Sequence, residues 1–153
     1  MKRLLFVVHA PSANTRTLRD AAVSAIEGLA LGGIELSVRA APEATADEVK
    51  ACHGLLIGTT ENFGYMAGLT KDFFERIYYP CLESKQGLPI ALYIRAGEDG
   101  RGTRESIGRI TTGLRWKYVS DPLILRGKFK PDFEDQAAEL AATLAAGLDA
   151  DIF

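Results

Sequence analysis

Cysteine is scarce in this chain, and the two present, Cys52 and Cys81, stand far apart with no CxxC or Cys/His spacing. That argues against a disulfide framework and against a structural zinc site. No apolar run reaches the length of a membrane-spanning helix. Leu4–Val8, behind Lys2 and Arg3, is also too short for a secretory core. The expectation is a cytoplasmic protein that makes no membrane contact. Charge of one sign is lacking as well: the net charge is −2, which nominates no nucleic acid or other polyanion as partner. Several phosphate signatures are missing. No GxxxxGK[ST] occurs, and Gly97, Gly100 and Gly102 are spaced in the reverse sense to GxGxxG.

What is present is an alternation of strand and helix signals. Leu4–Val8 is a continuous apolar run, as in a strand buried on both faces. Leu18, Ala22, Ile26 and Leu29 mark one face of a helix that Gly32-Gly33 stops. Ile34–Arg39 alternates apolar and polar, which predicts a half-exposed strand near an edge. Thr45 and Glu48 fit a capping box opening a short helix. Gly54–Gly58 is a third strand, followed by a polar loop, Thr59–Gly68, and a helix with Leu69, Phe73 and Ile77 on one face. Pro80 ends that helix. Ile90–Ile94 is a fourth strand, and Thr103 reads as the cap of a helix carrying Ile107, Ile110 and Leu114. Leu123–Leu125 is a fifth strand, and Asp132 reads as the cap of a closing helix with Ala137, Leu140, Ala141, Leu144 and Leu148. These signals predict one α/β domain over residues 1–153, a doubly wound five-stranded parallel sheet of strand order 2-1-3-4-5 in three α/β/α layers.

In that order, the loops after strands one, three and four open on one rim, where open α/β sheets bind ligands. The first, Pro11–Thr15, leads into a helix N-terminus, which attracts a phosphate through unpaired N–H groups and the helix dipole. Ser12, Asn14 and Thr15 add neutral donors, although Asn14 or Thr15 in such a place also serves simply as a helix cap. A phosphoacceptor receiver would need an aspartate where Thr59 ends the third strand, and a cysteine phosphatase would need a cysteine in the first loop. The second loop carries Thr59, Thr60, Asn62, Phe63, Gly64 and Tyr65. Phe63 and Tyr65 can lie against a flat ring, or Phe63 can pack beneath the following helix. The third loop, Arg95–Gly102, holds no aromatic residue, and its glycines allow close backbone approach. Glu98 and Asp99 there read as solvated turn residues. Between Arg101 and Lys130 stand eight basic residues against two acidic ones, either a solvated face or an anion site beside the third loop.

Two segments carry a family likeness. His9-Ala-Pro-Ser-Ala-Asn-Thr-Arg-Thr-Leu18 resembles the flavodoxin-family phosphate loop, commonly written H-S-x-S-G-N-T-x-x-L. Thr60–Gly68, with Lys71-Asp-Phe-Phe74, is similar to the flavin-ring loop of the flavodoxin-like NAD(P)H:quinone oxidoreductases and NADPH-dependent FMN reductases. The resemblance implies a flavodoxin-like fold and a non-covalent FMN. It assigns Ser12, Asn14 and Thr15 to the phosphate, and Thr60, Asn62, Phe63, Gly64 and Tyr65 to the isoalloxazine ring. Gly97 would line the far edge of that ring. Ala10 and Ala13 depart from the pattern, replacing its first serine and its glycine. Electron-carrier flavodoxins as a family have strongly acidic surfaces and often a tyrosine from the third loop over the ring; this chain has neither. The implied activity is therefore electron transfer from NAD(P)H to a quinone, flavin or similar acceptor, so the implied partners are a small-molecule donor and acceptor. The alternatives are an electron carrier without NAD(P)H activity, or a flavin-free interaction domain. Dimers are common in the resembled reductases, and Tyr78, Tyr79 and Trp116 read as core or as the interface of a homodimer.

Overall fold

The computed structural model describes residues 1–153. Strands and helices follow one another as β1 (Lys2–Val8), α1 (Ala13–Gly28), β2 (Ile34–Ala40), α2 (Ala46–Ala51), β3 (Gly54–Asn62), β4 (Tyr65–Met66), α3 (Gly68–Cys81), β5 (Pro89–Ala96), α4 (Arg101–Leu114), β6 (Lys117–Tyr118), β7 (Leu123–Arg126) and α5 (Asp132–Asp149). The parallel ladder runs β2-β1-β3-β5, and β6 and β7 both pair with the outer edge of β5. This is the order 2-1-3-4-5 with its last position split in two. β6 covers Pro89 and Ile90, and β7 covers Tyr93–Ala96. The break falls where Ser120-Asp121-Pro122 intervenes, and a proline has no N–H to give the ladder.

Side-chain alternation divides the apolar residues between two layers. Leu4, Phe6 and Val8 of β1, Leu56 of β3 and Tyr93 of β5 pack with α1 and α5. Leu5, Val7, Leu55, Ile57, Leu92 and Ile94 pack with α2, α3 and α4. β2 is only half-buried, as its edge position dictates. No helix is long and apolar enough to cross a membrane.

Four local expectations need correction. β3 does not stop at Gly58 but runs on to Asn62 and turns back through β4, so much of the expected loop is a β-hairpin. Helix α4 begins two residues before Thr103, with Gly100 in the left-handed region at its N-cap and no side-chain cap; Thr103 is fully buried instead. Asp132 is the first helical residue of α5 rather than its cap, and its carboxylate accepts a bond from Gln136 Nε2 at 2.6 Å. On α3 the buried face is Thr70, Phe73, Phe74, Ile77 and Cys81, while Leu69 is exposed and Pro80 lies just inside the last turn. The Thr45–Glu48 capping box forms as expected.

Candidate functional site at the carboxyl end of the sheet

Helix α1 starts at the rim because Ser12 caps it. The Thr15 N–H donates to Ser12 Oγ at 3.2 Å, and the Ser12 N–H donates to Thr15 Oγ1 at 2.9 Å. Thr15 Oγ1 also lies 3.0 Å from the Ser12 carbonyl, to which it donates. Thr15 is thereby buried within the cap, and its hydroxyl proton already has an acceptor. Ser12 and Asn14 are exposed. The N–H groups of Ala13 and Asn14 come before the point where a helix supplies its own acceptors, and no side chain accepts from them. Two parallel donors at the positive end of a 16-residue helix thus face outward. Ala13 sits in the ordinary negative-φ helical region, so the replacement of glycine there introduces no strain.

β1 is tied to β3 next to this loop by the His9 N–H, which donates to Gly58 O at 2.9 Å. Burial holds the His9 pKa below its ordinary value, so the ring is neutral near pH 7. On β3, Thr59 Oγ1 is hydrogen-bonded to Thr70 Oγ1 of α3 at 2.7 Å, in the core rather than on the rim. Thr60 faces the other layer and donates to Asn62 Oδ1 at 2.7 Å. Asn62 and Tyr65 close the hairpin, and Phe63 and Gly64 form its two-residue turn with φ of 54° and 72°. Two consecutive positive φ values mark a type I′ turn, in which asparagine or glycine is the ordinary occupant of the first position. A phenylalanine there is costly by about 1 kcal/mol or more. Its side chain does not pack beneath α3 but stands fully exposed at the tip, with Tyr65 beside it 44% exposed.

The third loop is fastened to the hairpin by a residue whose sequence context carried no signal. Glu61 accepts from the Glu98 N–H at 3.0 Å and from the Gly100 N–H at 2.8 Å, so its carboxylate caps α4 from a neighbouring strand. Gly100 itself has no side chain to cap α4, and the next N–H, that of Arg101, donates to Asp99 Oδ1 at 3.0 Å. Gly102 completes the contact: a Cβ at this position would collide with the Gly64 carbonyl oxygen. Gly97 is exposed, with open space where a Cβ would project. The structure therefore brings Ser12, Asn14, Thr60, Asn62, Phe63, Gly64, Tyr65 and Gly97 to one end of the sheet, with Thr15 behind them.

The basic segment does not form one patch. Arg101, Arg126, Lys128 and Lys130 lie toward the carboxyl end, whereas Arg115 and Lys117 follow α4 down to the amino end, where Lys117 pairs with Pro89. None of the eight cations takes part in any of the five ion pairs, Lys2–Asp151, Arg19–Asp20, Arg39–Glu48, Lys71–Glu75 and Arg76–Asp72. Cys52 and Cys81 are buried and unbridged, and burial raises both thiol pKa values. No group of three or more His, Cys, Asp or Glu side chains is placed to hold a metal ion.

An FMN would need hydrogen-bond donors for its phosphate dianion and a flat exposed surface for its ring. The outward N–H pair at Ala13 and Asn14 fits the first need, and the solvent-facing Phe63 and Tyr65 fit the second. A largely apolar cavity, about 270 Å³ between Phe74, Tyr78, Tyr79 and Ile110, lies away from this rim on α3 and α4.

No protein-family model and no curated protein sequence matches the chain. Solved structures do match it along nearly its whole length. A flavodoxin from the domain Archaea is 18% identical with a TM-score of 0.79, over 95% of this chain and 98% of the other. A WrbA-like flavodoxin protein from Agrobacterium tumefaciens is 13% identical with a TM-score of 0.78, over 99% of each chain. A mutant flavodoxin from Pseudomonas aeruginosa is 22% identical with a TM-score of 0.74, over 95% and 98%. At these identities the likeness is one of fold, and the fold is flavodoxin-like.

Proposed function

We propose that the rim binds FMN without a covalent bond and that the protein passes electrons from NAD(P)H to a quinone, flavin or similar small acceptor. The observation that carries this reading is the meeting, on one rim, of the donor pair at the start of α1 and the exposed aromatic tip of the hairpin. When bound, the flavin would supply the redox chemistry. The Ala13 and Asn14 N–H groups, with Ser12 Oγ and the Asn14 amide, would hold its phosphate. Phe63 and Tyr65 would lie against the ring, Thr60, Asn62 and Gly64 would meet its edge, and Gly97 would leave room at its far side. Thr15 acts by shaping the loop. The third loop has no aromatic lid, which leaves one side open to a nicotinamide or a quinone. We place this activity in the cytoplasm.

Solved neighbours described as flavodoxins favour a second reading, an electron carrier with no NAD(P)H activity of its own. One experiment separates the two. Purified protein is loaded with FMN and given NADH or NADPH under anaerobic conditions. Loss of the yellow absorbance supports the reductase; binding without bleaching supports the carrier. Failure to bind FMN at all removes both.

A further inference from the structure

Arg95 stands at the carboxyl end of β5 on the α1/α5 side of the sheet, opposite Thr60 of β3 and Leu125 of β7 in register. Its Nη1 donates to the Ala96 carbonyl at 2.6 Å and to the Leu125 carbonyl at 3.0 Å. Its guanidinium carbon lies 5.7 Å from the Phe129 ring centre and 5.2 Å from that of Phe133. Two carbonyls and two aromatic faces therefore hold the group in place. An arginine carries five N–H donors, and only the Nη1 pair has acceptors here. The Nε–H and the two Nη2–H groups have none, and no carboxylate pairs with Arg95.

That combination is informative. A fully buried arginine is almost always paired, whereas a half-buried one can keep an edge open to a ligand. This one is half-buried, and burial holds its pKa below the ordinary value; two carbonyls and two aromatic faces offset that desolvation, and no carboxylate does. The surroundings carry both signs: Asp132, Glu134 and Asp135 stand in the first turn of α5, none paired with Arg95, and cations precede them. Lys130 Nζ lies 5.5 Å from the same Phe133 ring, and Arg126 and Lys128 are exposed on the same connection between β7 and α5. The Nε/Nη2 edge of a guanidinium matches two oxygens of a carboxylate or phosphate, and a fork already fixed in position loses little freedom on binding.

We propose that the Nε/Nη2 edge of Arg95 is an oxyanion-binding fork, a second site separate from the start of α1, that takes a phosphate of a ligand lying on the β5–β7 side of the rim. The phosphate is that of a second, adenine-bearing nucleotide, because the one phosphate of FMN is assigned to the start of α1. The site does not depend on flavin binding.

The test uses the whole chain, with pyrophosphate as probe, in low salt and by calorimetry. Wild-type protein binds it, and Arg95→Lys, which keeps the charge and loses the fork, weakens it about tenfold. Arg95→Met weakens it at least as much, and Lys130→Gln weakens it less because it removes only a nearby charge. Pairs of probes then name the source. A loss seen with 2′,5′-ADP and absent with adenosine assigns the second nucleotide; a loss seen instead with FMN and absent with riboflavin moves the flavin phosphate here and overturns a separate site. Three further results overturn the proposal: no pyrophosphate binding by wild type, binding by Arg95→Lys equal to wild type, or binding lost only in Asn14→Asp. If Arg95-dependent pyrophosphate binding persists in a protein that takes up no flavin, this site stands and the proposed function falls.

Discussion

The loop that opens α1 and the hairpin that closes β3 face the same rim and offer it opposite halves of their chemistry. In Pro11–Thr15 the Ser12 and Thr15 side chains are engaged with one another, and the free groups are two main-chain donors and the exposed Asn14 amide. In the hairpin the main chain closes its own ladder, Glu61 with Met66 and Asn62 with Tyr65, and the aromatic side chains remain free. One loop is suited to an anion and tolerates small side chains such as Ala10 and Ala13. The other is suited to a flat ring and depends on what its side chains are. The difference follows from local structure: a helix start leaves N–H groups unpaired, whereas an antiparallel turn pairs them.

The comparison can be broken most severely at Gly102. Gly102→Ala drives a Cβ into the Gly64 carbonyl, so the hairpin must move off α4, at an overpacking cost of about 1–3 kcal/mol. Thermal unfolding should show the loss, and riboflavin affinity should fall with it; no change in either would mean that the hairpin does not rest on α4. A smaller and more selective effect is expected at the other loop. Asn14→Asp puts a negative charge beside the free N–H pair, and FMN binding should weaken about tenfold, or 1.4 kcal/mol. The same carboxylate suits the helix dipole, so the melting temperature should hold or rise slightly. FMN affinity equal to wild type would remove the phosphate from this loop.

Phe63→Asn reverses that pattern. Asparagine accepts the left-handed turn that phenylalanine resists, so stability should be kept or gained. Riboflavin affinity should drop by about 0.5–1.5 kcal/mol, the scale of one aromatic contact. If flavin binding survives intact in fluorescence titration, Phe63 is not part of the ring surface. The smallest effect contrasts the rim with the amino end of the sheet. His53 Nδ1 accepts the Arg3 N–H at 2.9 Å, which requires an unprotonated nitrogen. Its pKa lies below the ordinary 6.5 through desolvation and then through Lys85, Lys2, the N-terminus and Arg3. That of His9 is lowered by burial. With folded values below unfolded ones, the unfolded chain binds more protons as the medium is acidified. Melting temperature should therefore be level above about pH 6.5 and fall below it, and His53→Gln should remove part of that fall. A melting temperature that rises on acidification would contradict this assignment.

Much of the fold was legible from period alone. Leu4–Val8 reads as a buried strand because every residue is apolar, and Ile34–Arg39 reads as an edge because it alternates. The split of the last strand was less visible, since two residues of β6 carry too short a pattern to register. At the site, the rim and its three loops were legible, and the use of each residue was not. Thr59 and Thr60 are neighbours of the same type, yet one is bonded into the core at Thr70 and the other turns toward the opposite layer. Glu61 gave no local sign of capping a helix that begins 40 residues later.

What the sequence determined by itself was therefore the order of elements, the two-layered core and the end of the sheet where a ligand would sit. Those properties depend on hydrophobic period and chain connectivity, which are local or nearly so. Tertiary structure alone decided which polar groups remain unpaired there and which aromatic stays exposed. The outward N–H pair at Ala13 and Asn14, the exposed Phe63, the cap supplied by Glu61 and the open edge of Arg95 each depend on whether a partner arrives from elsewhere in the chain. A hydrogen bond is satisfied or left open by distances of a few tenths of an ångström between segments far apart in sequence, and no pattern of residue types encodes those distances.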